Sequence, residues 1–348
     1  WSGTVFLSAF TTKTAVYVLL RGFPGAEVLI PIGGYMIFYG IIYALLENDM
    51  RRILSYSIIN QVGFMVVGIG IGTELTLNGA AAHAFTHIIY KALLLMSAGS
   101  VLLMSGGVRR CTDLGGLFKT MPYTATMGII GALAISSFPF TSGFISKSMI
   151  AQGAADQHMF WVWMALAAAS AGVFLHAGIK YPWYVFFQKD SGLRLKEPPL
   201  SMKLSMGLFA FLCIGLGVMP QPLYDILPYP VDYVPYTTGH VVTMLQLLLF
   251  SGLAFFVMLP YMKRTLTITL DFDWLYRKLF KLAARDAADR SAKAHAAAFA
   301  DADKRLAQLI SRIFRTHGPA GILARTWPTG SMVLWAAALL ALSLLVYY

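Results

Sequence analysis

Residues 78–105, NGAAAHAFTHIIYKALLLMSAGSVLLMS, constrain the whole chain. They are apolar over more than the ~20 residues with which a helix crosses a bilayer, yet they carry three protonatable side chains. Similar apolar runs recur at about 5–20, 28–46, 53–71, 159–179, 204–218, 241–259 and 331–346, and another begins near residue 123. In hydrocarbon every backbone polar group must be satisfied internally, which leaves only helices and closed barrels. The runs are continuous rather than alternating, so a barrel is not indicated. The expected fold is all-α, a polytopic membrane helix bundle.

Composition agrees. The 348 residues are 57% hydrophobic and 12% charged, against roughly 25% charged in an average soluble protein. The net charge of +11 could suit nucleic acid, but Lys- and Arg-rich cytoplasmic loops are the simpler source in a membrane protein. Taking loops alternately, one set holds Arg51, Arg52, Arg109, Arg110, Lys119, Lys189, Arg194, Lys196, Lys203, Lys263 and Arg264, while the opposite set holds Arg21. The positive-inside rule places the first set in the cytoplasm and the C-terminus outside. Cys111 and Cys213 form no metal motif and suggest no disulfide. The chain begins at Trp1 without a signal peptide, from which a missing N-terminal part, or one carried on another chain, is expected.

His83, His87 and Lys91 are spaced i, i+4, i+8, which stacks them on one helix face. Ionisable groups at membrane depth are costly and mark ion or proton routes when they face a bundle interior. The bland alternative is a pair of satisfied imidazoles and a lysine snorkelling to the interface. Lys91 sits too near the middle of the run for that. Lys13 lies in the first span among Ser8, Thr11, Thr12 and Thr14, whose hydroxyls can bind an ammonium or repair broken helix geometry. SSFPFTSG, residues 136–143, interrupts the next apolar run with a proline, and Lys147 follows directly. A broken helix is expected there, the kind of place where transporters put their sites. His176, alone near the end of the 159–179 span, reads as structural. No Asp or Glu falls inside a span, so the buried lysines lack local counter-charge. Such lysines can be neutral or charged at modest cost, and with histidines and water between them they make a proton relay.

Residues 271–316 differ in character. They hold six acidic and ten basic residues, with apolar positions at helical spacing in WLYRKLFKL and LAQLISRIF. They read as one or two amphipathic helices on the cytoplasmic surface, bound to the membrane interface or a partner subunit. The expected organisation is 1–187 as a translocation core of about five spans, 188–263 as two further spans, 264–328 as the amphipathic segment and 329–348 as the terminal span.

Four stretches carry a family resemblance: TTKTAVYVLLR (11–21), ENDMRRILSYSIINQVGF (47–64), HAFTHIIYKALLLMSAGSV (83–101), and LGGLFKTMP with SFPFTSGFISKSMI (114–150). They resemble the antiporter-like family shared by Mrp-type cation/proton antiporters, their D-type subunits above all, and the proton-pumping membrane subunits of respiratory complex I. The resemblance implies the C-terminal half of an inverted-repeat fold, with discontinuous spans. By it Lys13 matches the lysine of the eighth helix. His83, His87 and Lys91 match the set on a broken or bulged eleventh, and Lys147 matches the terminal carrier of the broken twelfth. The family's glutamate–lysine pair on its fifth and seventh helices has no counterpart here. The implied function is proton translocation in a monovalent cation (Na+)/H+ antiporter of the cell inner membrane. The implied partners are other membrane subunits and the lipid bilayer, not nucleic acid. The competing readings are a proton-pumping subunit of an NADH–quinone oxidoreductase-like complex and a non-transporting structural subunit. With no flavin, iron–sulfur or nucleotide motif, no cofactor is expected and any redox chemistry belongs to other chains.

Overall fold

A computed structural model describes residues 2–261, 274–319, 321–325 and 328–347. Lys263, Arg264 and Asp271 lie outside these described residues. The chain divides into two compact units, Trp1–Ile268 and Thr269–Tyr348.

The first unit is a bundle of helices: α1 (Gly3–Gly22), α2 (Leu29–Leu46), α3 (Met50–Ile71), α4 (Glu74–Met104), α5 (Pro122–Ile135), α6 (Ser142–Asp156), α7 (Phe160–Phe187), α8 (Leu200–Val218) and α9 (Thr238–Met258). The second unit holds α10 (Phe280–His317), preceded by a π-helical turn, Leu275–Leu279, and α11 (Thr329–Tyr347). Eight of the described helices are long and apolar enough to cross a membrane. The expected all-α bundle is thus what forms.

α4 is the axis of the first unit. It runs 31 residues, roughly 46 Å at 1.5 Å per residue, and packs against α3, α5, α6 and α8. Thr73 caps its start by accepting from the Thr76 amide. The resemblance implied a broken or bulged span here, but the helix is continuous throughout. Its interior contains no proline and is rich in Ala and Leu, so nothing removes a backbone donor from the ladder. α2 and α3 pack most closely, consistent with the small residues in 53–71. A Cβ at Gly63 would sit 2.8 Å from the Gly33 carbonyl, and one at Gly40 would sit 2.6 Å from the Asn60 amide.

Three irregularities shape the bundle. In α1 the ladder widens to a π turn at Leu7–Thr11. Between α5 and α6 the chain breaks as expected, with Ser137 and Phe140 both at positive φ (61° and 66°). The third was not expected. The span placed at 159–179, with a basic loop from Lys180, continues as helix to Phe187 through π-helical stretches on both sides of Pro182. Lys180 is buried, not looped out. Its Nζ donates to the carbonyls of Ala44, Leu45 and Glu47 at 3.0, 2.5 and 2.6 Å, the orphan acceptors at the end of α2. An ammonium is favoured at that negative end of the helix, which is why the lysine turns inward.

The basic connections gather at one end of the unit. Asp49 forms a β-bridge with Arg110 and a 3.1 Å ion pair with Arg109. Lys189 donates to the Thr112 carbonyl at 2.6 Å. Glu197 accepts from the Tyr123 amide and the Thr124 hydroxyl, at 2.7 and 2.6 Å, capping α5. In the same loop Asp190 pairs with Arg194 through both carboxylate oxygens, at 2.8 and 2.9 Å. The guanidinium holds that exposed carboxyl well below the usual carboxylate range.

Candidate functional site

The stripe on α4 turns inward. His83, His87 and Lys91 are each fully buried, as is the neighbouring Tyr90. α3 and α6 flank this face and supply its polar partners. His83 Nδ1 meets Ser146 Oγ of α6 at 2.9 Å and its Nε2 meets Gln61 Oε1 of α3 at 3.1 Å. Tyr90 donates to the same Gln61 oxygen at 3.1 Å and lies 3.3 Å from His83 Nε2. Gln61 in turn donates to Asn60 Oδ1 at 2.6 Å, and Asn60 donates to the Ile37 carbonyl of α2 at 3.1 Å. His83 is therefore wired to three helices by side chains in fixed positions. Asn60 and Gln61 are not among the site residues singled out from sequence. Their depth in an apolar helix was the signal that they serve a buried group.

The other two members of the stripe are held differently. The His87 ring lies 6.2 Å from that of His83 and meets Tyr90 edge-on at 5.3 Å. Its two nitrogens, and Lys91 Nζ, are buried with no protein hydrogen bond. Lys147 sits on the first turns of α6, and its Nζ donates to the Ile135 carbonyl at 2.7 Å. Ile135 is the last residue of α5, so the break in the span produces the acceptor that binds this ammonium. The same Nζ stands 5.0 Å over the Phe64 ring, which itself lies 6.2 Å from His83. Lys13 follows the same logic in α1. Its Nζ donates to the Ser8 carbonyl within the π turn at 2.8 Å and to Thr12 Oγ1 at 3.1 Å. Local π geometry shifts the helical ladder and re-aims such carbonyls.

Lys91 lies within electrostatic range of both Lys13 and Lys147, and His87 within range of all three lysines. The five residues singled out from sequence thus belong to one buried cluster. His176, read as structural, is also buried and within range of Lys91. Its ring approaches the Gly172 carbonyl, but neither nitrogen makes a hydrogen bond of normal geometry. No group of His, Cys, Asp or Glu that could hold a metal ion occurs among the described residues.

Chemically the cluster is a set of proton donors and acceptors enclosed in an apolar bundle. Lys13 and Lys147 are met by carbonyls, a hydroxyl and an aromatic face, Lys91 Nζ makes no protein hydrogen bond, and the cluster contains no carboxylate.

Known proteins resemble the chain in sequence and in fold. Residues 1–173 match the family described as NADH:quinone oxidoreductase/Mrp antiporter, TM. The D-type subunit of the Na(+)/H(+) antiporter of Alkalihalophilus pseudofirmus is 33% identical over 228 residues, 62% of this chain and 45% of that protein. NADH-ubiquinone oxidoreductase chain 5 of Schizophyllum commune is 30% identical over 236 residues, 64% of this chain and 34% of that protein. The chain therefore spans less than half the length of either relative. Among solved structures, a chain of the membrane-bound sulfane sulfur reductase, an archaeal respiratory membrane complex, superposes with a TM-score of 0.61 at 23% identity. That match covers 98% of this chain and 62% of the other. A chain of the Mrp complex from Dietzia sp. DQ12-45-1b superposes with a TM-score of 0.59 at 18% identity, covering 72% of this chain and 54% of the other. Through residues 1–173, the chain belongs to the antiporter-like family of membrane subunits shared by NADH:quinone oxidoreductases and Mrp antiporters.

Proposed function

We propose that the chain is a membrane subunit that passes protons along a buried relay of Lys13, His83, His87, Lys91 and Lys147, within a multi-subunit monovalent cation (Na+)/H+ antiporter. One observation carries this reading: the lysines at membrane depth are held by backbone carbonyls, or by nothing, instead of by carboxylates. A buried ion pair resists the loss of either partner, because the remaining charge is left uncompensated. An ammonium on a carbonyl can release its proton and leave only a neutral acceptor. His83 can accept on one nitrogen and release from the other, its ring fixed by Ser146 and Gln61. The bare nitrogens of His87 and Lys91 lie one and two turns beyond His83 on the same helix. Burying them dry is costly, and water is the partner that links such groups.

The antiporter assignment rests on the likeness to the Alkalihalophilus antiporter chain. A second reading, a proton-pumping membrane subunit of an NADH–quinone oxidoreductase-like complex, rests on the likeness to the Schizophyllum oxidoreductase chain. In either assembly the partners are other membrane subunits and lipid. The subunit would be a multi-pass protein of the cell inner membrane, with the basic loops and α10 cytoplasmic and the C-terminus outside. Residues 1–187 would form the translocation core, with 188–263 and 329–348 as supporting spans.

The test is cation-dependent ΔpH in everted vesicles carrying the assembled complex. Lys91→Ala and Lys147→Ala each abolish it while leaving assembly intact on a native gel, and Lys13→Ala reduces it strongly. Unchanged transport in both of the first two variants overturns the relay. Na+-driven ΔpH without a redox substrate supports the antiporter, whereas ΔpH only during quinone reduction supports the second assembly.

A further inference from the structure

The relay as proposed ends at Lys147, and a second set of polar groups stands between that lysine and the end of the bundle opposite the basic loops. A cavity of about 350 Å³ lies among α6, α7 and α9. Lys147 and Ser148, both buried, line it on α6, and the half-buried Gln152 and His240 line it nearer the surface.

His240 occupies the first turn of α9, its amide bonded to the Thr237 hydroxyl at 3.2 Å. Gln152 orients the imidazole. It donates through Nε2 to Asp156 Oδ1 at 2.7 Å, so its Oε1 faces His240 Nε2 at 3.0 Å and accepts from it. His240 Nδ1 faces both the Tyr233 hydroxyl at 3.4 Å and the Pro235 carbonyl at 3.3 Å. A neutral ring accepts from the hydroxyl at Nδ1, and a protonated ring donates to the carbonyl from the same nitrogen. Each protonation state thus has a partner in place. The charged and titratable groups around the ring are Lys147 across the cavity, Asp156 through Gln152, and Tyr233.

We infer that His240 is a proton-exchange residue at the outer end of the relay, joining Lys147 through this cavity to the face opposite the basic loops, with Gln152 as its positioning residue. This rests on the relay proposed above. The step is a simple transfer. A proton leaves Lys147 Nζ, crosses water in the cavity to His240 Nδ1, and is released from that same nitrogen to the bulk beside Tyr233 and Pro235, while Nε2–H stays bonded to Gln152.

Two measurements on the assembled complex test it. Thr243→Cys and Ala151→Cys place thiols on the cavity wall, with wild type, whose Cys111 and Cys213 are buried, as the blank. A membrane-impermeant methanethiosulfonate should modify both from the side of the 219–237 loop only. Modification by lipid-soluble maleimide alone would show a cavity open to lipid and overturn the inference. In transport, His240→Ala and His240→Gln should slow the rate on the order of tenfold, since water replaces only part of a lost acid–base group. Both should flatten its pH profile, and added imidazole should rescue His240→Ala. Wild-type rates in either variant, or restoration by glutamine, would reduce His240 to a structural tie. If His240 variants are silent while Lys147→Ala is inactive, the outlet fails and the relay stands; transport surviving Lys147→Ala sinks the relay itself.

Discussion

At the scale of single residues, the recurring device is a lysine placed where a helix gives up a carbonyl. Lys13 uses a π turn, Lys147 the end of α5, and Lys180 the end of α2. Lys180 differs in having three acceptors, which makes it a firm cap. Lys180→Met should therefore destabilise the complex by about 1–3 kcal/mol, the cost of leaving buried acceptors unpaired, while transport per assembled complex stays close to wild type. A thermal melt of the detergent-solubilised complex beside the ΔpH assay checks both. Gln61→Leu should do the reverse. It strips His83 Nε2 and Tyr90 of their common acceptor, so transport falls more than stability does. The i, i+4, i+8 stripe made His83, His87 and Lys91 legible from sequence, because helical periodicity converts spacing directly into a face. Lys180 was not legible. The span reads as ending at residue 179 with a basic loop from Lys180, and nothing local shows that π turns carry the helix past Pro182 to Phe187.

At the scale of elements, the break between α5 and α6 creates the Lys147 site. Proline and its Ser, Thr and Gly neighbours made the break foreseeable, but not what fills it. Gly143 lies against the Ala134 carbonyl, so closely that a Cβ there would overlap it. Gly143→Ala must push α5 and α6 apart at the carbonyls that include the Ile135 acceptor. Overpacking of this kind costs typically about 1–3 kcal/mol, and here the displacement falls on Lys147. Transport should drop severalfold in complex that still assembles. Thr141→Ala, which removes only a hydroxyl bonded to the Phe138 carbonyl, serves as the control and should be mild. Equal effects of the two variants on transport would separate the break from the carrier. α4 shows the opposite lesson. A family resemblance implied an irregular span, but an unbroken Ala/Leu-rich ladder gives no local reason for one.

At the scale of the whole molecule, α10 is unlike the helices of the first unit. It runs 38 residues, roughly 57 Å, without one buried side chain, and Leu306, Leu309, Ile310 and Ile313 are all exposed. Its amphipathic pattern was plain from sequence because i, i+3, i+4 spacing needs no tertiary information. What covers its apolar face was not legible, because amphipathic spacing marks a face and not its occupant. Intrahelical pairs such as Asp286–Arg290 and Asp301–Arg305, at 2.7 and 2.9 Å, are exposed and contribute little. The apolar row is the part whose burial can contribute binding energy. If α10 docks on a partner subunit, Leu309→Glu with Ile313→Glu should abolish recovery of the intact complex on a native gel, while the isolated chain still inserts in the membrane. If the row lies only on lipid headgroups, the same pair should weaken membrane association of a soluble α10 peptide and leave complex recovery unchanged. Replacing Asp286 and Asp301 with Ala should affect neither measurement, which separates the apolar row from the charge pattern on the opposite face.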